Sequence, residues 1–379
     1  MKFGLVAGES SGDLLGAGLI AAVRERVPDA TFEGVAGPAM VGAGCDRWED
    51  AEALAVMGLV EPLRRLPRLL RLRAMLVRRW SVSPPDVFIG IDAPDFNLGL
   101  ETKLRTAGIT TAHYVSPSIW AWRQGRIRTI RKAADLVLCI LPFEKGFYDE
   151  HDVQSVFVGH PKADVAPATV DTQAFKAKLG FAPDTPVLAV LPGSRGSEVS
   201  RLGPVFADAI RKIVVANPTL RCVVPVATRR LRPMIEQQLS NAGAADSVEL
   251  VDGRSDAVLA AADIVLLASG TAALEAALLQ KPMIAAYKVA GVTAAIVNAF
   301  GLIKVDRFTL PNLLTDEPLV PEFIQDDATA EALADAVCAL LADPARRASI
   351  SRRFATLRGE LALDANARAA DAVLGLAQA

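Results

Sequence analysis

Twice along this chain, short β-branched or apolar runs alternate with longer helical patterns, and no other feature limits the possible folds as tightly. Such alternation is the signature of βα units wound around a mostly parallel sheet. In the first half the expected strands include "FGLVA", "DVFIGID", "TTAHYVS" and "DLVLCI". The segment "HPKADVAPATVDTQ", from His160, gathers prolines, aspartates and threonines and reads as a linker. After it the pattern restarts with "PVLAVLP", "LRCVVPV", "SVELV" and "DIVLLAS", separated by helices such as those after Glu198 and before Asn241. The expected fold is α/β, two Rossmann-like doubly wound domains facing across a cleft, with ligands at the carboxyl ends of the strands. A chain of 379 residues, 51% hydrophobic, supplies enough for two cores. The tail from Asp364 to Leu376 reads as a last amphipathic helix.

Composition removes several classes of function. A net charge of −2 gives no overall field to recruit nucleic acid. The four cysteines, Cys45, Cys139, Cys222 and Cys338, lie far apart in mostly apolar surroundings without CxxC spacing, and read as reduced core residues of a cytosolic protein. The opening "MKFGLVAGESSGD" turns polar too soon for a signal peptide. The stretch "VAGVTAAIVNAFGLI", from Val289, is shorter than the roughly 20 residues that span a bilayer and contains Thr293 and Asn298.

Three strand-to-helix loops stand out, each either a plain turn with its cap or a place for a ligand. In "VAGESSGDLLGAG", Gly8, Gly12 and Gly16 miss the GxGxxG spacing of dinucleotide sites. Ser11 or Asp13 could cap the helix there, while Glu9, Ser10 and Ser11 offer groups that recognise sugar hydroxyls. In "LPGSRGSEVSRLGP" the lysine and hydroxyl of a Walker A loop are missing. Gly193, Ser194 and Gly196 nevertheless expose N–H groups at a helix N-terminus, and Arg195 adds a cation suited to a diphosphate. In "LLASGTAALEAALL", Ser269, Gly270 and Thr271 open an apolar helix carrying Glu275, whose carboxylate would find donors in ribose hydroxyls.

In the first half, "IGIDAPDFNLGLETKL" puts Asp92 at a strand end, where it can take a proton from an attacking hydroxyl, and Asp95 at a helix start, where it can cap. Nearby, "HYVSPSIWAWRQGRI" adds His113, Ser116, Trp120, Trp122 and Arg123, which either line the cleft or belong to the core. The stretch from 56 to 80, "VMGLVEPLRRLPRLLRLRAMLVRRW", interleaves leucines with arginines, Glu61 being its sole acid. It reads as a surface that docks on an anionic membrane, with Leu69, Leu72 and Leu76 entering the interface and Arg64, Arg65, Arg68 and Arg71 meeting headgroups. The alternative is a surface helix packed on the sheet, bent at its start by Pro62 and Pro67.

Seven segments in order, "VAGESSGDLLGAGL", "GIDAPDFN", "HYVSPSIWAWR", "LPFEKGFY", "LPGSRGSEV", "LLASGTAALE" and "LPNLL", resemble the lipid-A-disaccharide synthase family from Leu5 nearly to the C-terminus. The resemblance implies an inverting glycosyltransferase of GT-B architecture that needs neither metal nor cofactor. Its donor would be UDP-2,3-diacylglucosamine and its acceptor 2,3-diacylglucosamine 1-phosphate, giving a β(1→6) disaccharide and UDP in lipopolysaccharide synthesis of Gram-negative bacteria. By the same resemblance Asp92 is the base, Arg195 meets the diphosphate, and Asn312 lies in the nucleotide site, while Ser116, read with Glu9, Ser10 and Ser11, is expected at the sugars. Glu275 matches the ribose-binding acid of GT-B enzymes more broadly. The family further implies a cytoplasmic homodimer on the inner membrane that exchanges C-terminal portions. Domains are expected at 1–165 for acceptor and membrane and 171–350 for the nucleotide sugar, with helices of 351–379 returning to the first domain, of the same or a partner subunit.

Overall fold

The computed structural model describes residues 1–54, 61–121, 124–289 and 307–378, the side chains of 61–65 left aside. Two compact units result, one made of Met1–Asp164 with Leu361–Ala379, the other of Val165–Glu360. The stretch expected as a linker holds this division, together with the short helices Pro161–Val165 and Thr172–Lys178.

The first unit is a seven-stranded sheet in the order β3-β2-β1-β4-β5-β6-β7. Its strands are β1 (Lys2–Ala7), β2 (Thr31–Ala36), β3 (Cys45–Asp50), β4 (Val87–Ile91), β5 (Thr111–Tyr114), β6 (Leu136–Cys139) and β7 (Ser155–Phe157). All pairings are parallel, so the central strands are covered on both faces and read as unbroken apolar runs. Side chains alternate between two cores. Phe3, Leu5, Ile89 and Ile91 face α1 (Ser10–Arg26) and the C-terminal helix Ala365–Gln378. Val6 and Phe88 face α3 (Glu61–Val82) and α4 (Pro94–Thr106). Asp13 does not cap its own helix: its buried carboxylate accepts from the N–H groups of Gly37, Ala39 and Met40, fastening α2 (Pro38–Gly42).

The membrane reading of α3 needs correction. Leu72 and Leu76 are buried with Trp80, Phe88 and Leu100, and Leu69 is half-buried against the same core. Helical spacing explains this, because positions 69, 72, 76 and 80 fall on one stripe and the sheet claims it. The outer face instead carries Leu66 and Leu70, which are 47% and 51% exposed, with Arg68 and Arg71 beside them. Other arginines of the run hold the protein together. Arg73 donates to the carbonyls of Asp95 and Phe96, and the Arg79 guanidinium lies 4.4 Å from the centre of the Trp48 ring. The side chains of Arg64 and Arg65 lie outside the described residues.

The second unit repeats the winding with six strands in the order β10-β9-β8-β11-β12-β13. These are β8 (Val187–Leu191), β9 (Arg221–Val226), β10 (Val248–Asp252), β11 (Ile264–Ala268), β12 (Met283–Tyr287) and β13 (Glu322–Ile324). Among the described residues no helix is long and apolar enough to cross a membrane; the stretch from Val289, with Thr293 and Asn298, falls almost wholly outside them.

The chain leaves the first unit after Asp164 and rejoins it at Leu361. His160 donates its N–H to Leu361 O at 2.8 Å, and the Asp164 carboxylate accepts from the N–H groups of Asp364 and Ala365 at the start of the C-terminal helix. Ala365, Ala369, Ala370, Val373 and Leu374 then form a buried stripe, and Asp371 pairs with Arg26 of α1.

Candidate functional site

In the first unit the chain turns sharply as it leaves β4. Asp92 and Ala93 both adopt left-handed backbone, at φ +52° and +44°, and Val115, just past β5, lies at φ +77°. For residues with a Cβ such angles are costly, most of all for a β-branched valine, and they persist where surrounding contacts impose them. Gly8 permits the turn: a Cβ there would stand 2.4 Å from that of Ala93. Together these segments line a pocket of about 290 Å³ that includes Asp92, Asp95, Val115, Ser116, Ser118 and Arg126. A second cavity, of about 330 Å³, is lined by Asp263 and Pro282, which precede β11 and β12. It therefore sits at the wrong end of those strands for a doubly wound site.

Asp92 is half-buried and lines the pocket, where a proton-accepting carboxylate has to be. Asp95 is no N-cap. It belongs to the first turn of α4, and its exposed carboxylate pairs with Arg126 at 2.6 Å. Ser116 is buried, and its hydroxyl shares a hydrogen bond with the Tyr148 hydroxyl at 2.9 Å while facing the same pocket. Next to it Glu144, at the start of α6 (Pro142–Asp149; α5 is Ile127–Ala133), accepts from the N–H groups of Ile140 and Leu141. Burial pushes its carboxyl up to about 7, the hydrogen bonds from Leu141 and Ile140 resisting. Of the other candidates in that stretch, His113 is a core residue, bonded through Nδ1 to buried Glu101 at 2.6 Å. Trp120 stacks edge-on against Phe143, and Trp122 and Arg123 lie outside the described residues. Glu9, Ser10 and Ser11 are exposed around the start of α1. Sequence reasoning missed Arg126 and Glu144, although the "LPFEKGFY" segment held the signal for the second: a glutamate three residues after a helix start, as in a capping box.

In the second unit, β8 runs into the loop carrying Gly193, Ser194, Arg195 and Gly196, and the helix Gly196–Ala216 follows. Gly193 lies at φ +124°, and a Cβ there would stand 2.6 Å from the Cβ of Glu198. Glu198 was not singled out from the sequence, yet its carboxylate accepts from the N–H groups of Ser194 and Arg195 at 3.1 and 3.3 Å. The Arg195 guanidinium, 68% exposed, pairs with it at 3.3 Å. The Glu198 carboxylate thus closes a capping box on N–H groups at the start of this helix. β11 ends in Ser269 and exposed Gly270 and Thr271, and Glu275 lies one turn into the helix Thr271–Leu278, half-buried among buried alanines and leucines.

Asn312 faces inward. Only 1% exposed, it donates from Nδ2 to Val320 O and Glu322 Oε1 and accepts at Oδ1 from the N–H groups of Leu319 and Val320, all at 2.8–2.9 Å. With every donor and acceptor of the amide engaged, its side chain shapes the loop of 319–322.

The description "Lipid-A-disaccharide synthetase" belongs to a family model that matches residues 3–373. Among curated relatives, a lipid-A-disaccharide synthase of Xanthomonas oryzae pv. oryzae is 50% identical over 378 residues, covering 100% of this chain and 88% of its own length. That of Alkalilimnicola ehrlichii is 49% identical, with 100% and 99% covered. Among solved structures, a UDP-GlcNAc 2-epimerase from Neisseria meningitidis bound to UDP-GlcNAc superposes with TM-score 0.63 at 12% identity, covering 99% of each chain. A glycosyltransferase from Rickettsia africae gives 0.61 at 12% identity, covering 100% of this chain and 97% of that one. Such identities speak to fold alone, and the fold is the GT-B type, two Rossmann-like domains each built on a parallel sheet. Because the family match runs almost end to end and half the residues are shared with synthases that span the whole chain, this protein belongs to the lipid-A-disaccharide synthase family.

Proposed function

We propose that the protein transfers the 2,3-diacylglucosamine unit of its UDP derivative to the 6-hydroxyl of 2,3-diacylglucosamine 1-phosphate, inverting the anomeric carbon. The observation that carries the mechanism is Asp92, held in a left-handed turn at the end of β4 on the wall of a pocket. The acceptor oxygen attacks the anomeric carbon, its proton passes to the Asp92 carboxylate, and the bond to the UDP oxygen breaks. The Arg195 guanidinium and the N–H groups of Ser194 and Gly196 meet the charge gathering on the diphosphate, the Glu198 carboxylate first yielding the Ser194 N–H and the guanidinium it holds. Ser269, Gly270, Thr271 and Glu275 hold the ribose side of the nucleotide. Glu9, Ser10, Ser11 and Ser116 meet the sugars, and Asn312 contributes through the loop it braces. The outer face of α3, Leu66 and Leu70 with Arg68 and Arg71, rests on an anionic membrane surface, so that the acyl chains need not enter water. The working form is a homodimer, as the resemblance implies.

The test is to incubate purified protein with both lipid substrates and measure UDP and disaccharide. Equal amounts of each are expected, and Asp92→Asn should lower kcat by about a hundredfold or more with UDP affinity kept. Inversion of a donor-sugar carbon without disaccharide would instead point to an epimerase, and near-normal turnover of the variant would remove Asp92 from the reaction.

A further inference from the structure

The turn that presents Asp92 has its own clamp. Asn97, in the first half of α4, is fully buried, and its side-chain nitrogen donates to Asp92 O at 2.8 Å, Val6 O at 3.3 Å and Ile91 O at 3.4 Å. Three carbonyls around one nitrogen leave no choice of amide orientation. They belong to β1, to the last residue of β4 and to Asp92 itself, so a single side chain joins helix, strands and turn. Its backbone N–H also donates to Ala93 O at 3.0 Å. One turn further along, Glu101 is buried on the same face of α4 and bonded to His113 of β5. Gly90 leaves room for both: a Cβ there would meet Glu101 Oε1 at 2.1 Å and the Asn97 Cβ at 2.9 Å. From the other side, Gly8 lets the β1–α1 loop press against Ala93.

This arrangement serves more than packing. Two successive left-handed residues bearing Cβ atoms, Asp92 and Ala93, would relax if their carbonyls were not held, because strained backbone survives only where its surroundings over-determine it. A buried amide directed at the carbonyl of Asp92 supplies that constraint at the residue whose carboxylate has to meet an attacking hydroxyl. We propose that Asn97 is a positioning residue for the transfer reaction: by clamping the Asp92–Ala93 turn it fixes where the Asp92 carboxylate stands in the pocket. The inference rests on the reading of Asp92 as the base.

Asn97→Ala and Gly8→Ala, the second pushing on Ala93 from the opposite side, are made alone and combined with Asp92→Asn, in the full-length protein. For each variant kcat, the KM for acceptor, UDP affinity and melting temperature are measured. Asn97→Ala should lower kcat by roughly 30- to 100-fold, the scale of a misplacement of about 1 Å, with acceptor KM and UDP affinity within about threefold of the parent. Gly8→Ala should give a loss of the same kind. In the Asp92→Asn background neither substitution should reduce kcat further, since there is no base left to misplace. Normal kcat in Asn97→Ala, or the same fold-loss with and without the Asp92 carboxylate, overturns the positioning role and leaves the base reading standing. Normal turnover of Asp92→Asn sinks both. Should Asn97→Ala lose its fold, shown by early melting, Gly8→Ala decides: a loss confined to kcat supports the clamp, and unchanged kcat overturns it.

Discussion

Single side chains show how far residue type determines role here. Arg195 is exposed and pairs with the Glu198 carboxylate, which also accepts from two loop N–H groups. Arg195→Ala should weaken UDP binding by roughly 1.5–3 kcal/mol, the range for hydrogen bonds between charged groups, while uridine without phosphates binds variant and parent alike in calorimetry. Equal losses for both ligands would deny Arg195 its diphosphate. Glu144 offers a test in pH. Its carboxyl titrates near 7 in the folded protein because burial raises it, and at the ordinary carboxyl value when unfolded. The unfolded chain therefore releases this proton first, and the stability held below the ordinary value is lost as pH rises to about 7. That loss should total roughly 2–4 kcal/mol, and Glu144→Gln should flatten it in urea melts between pH 5 and 7.

Among elements, α3 is the most instructive, because its composition invites one reading and its geometry divides it in two. The inner stripe from Leu69 to Trp80 completes a core, Trp80 lying between Trp48 and Phe88 with ring centres 5.2 and 5.0 Å away. The outer stripe keeps Leu66 and Leu70 in solvent. Leu76→Ala should cost about 2–5 kcal/mol and lower the melting temperature without a direct effect on lipid. Leu66→Ser with Leu70→Ser should leave melting unchanged and reduce sedimentation with anionic liposomes, the remaining binding weakening as salt is raised. An unchanged sedimentation would dismiss the outer face as a docking surface. Leucine and arginine content alone could not separate the stripes. Burial of the inner one depends on β4 and α4, which approach α3 only in the fold.

At the scale of the molecule, the doubly wound architecture was legible because buried parallel strands leave long apolar runs punctuated by glycine loops, as in "DVFIGID" and "DIVLLAS". The polar edge strand "CDRWED" was not, since an edge needs little burial and shows no apolar run. Site legibility split along similar lines. Loop positions such as Asp92 and Arg195 announce themselves by residue type after a strand, and Glu198 follows a local capping pattern, whereas the inward duties of Asn312 and Asn97 depend on partners hidden in the fold. Deleting Leu361–Ala379 should strip the first unit of a buried stripe at a cost of several kcal/mol, about what multiple core truncations cause, while residues 165–360 expressed alone should fold and bind UDP. A second unit that melts along with the truncated first would refute that independence. The returning tail also sets an order of synthesis. On the ribosome the second unit can be finished while the first still lacks its closing helix, so the half that begins first is completed last, and until then it leaves apolar surface on α1 open to chaperones or to another chain.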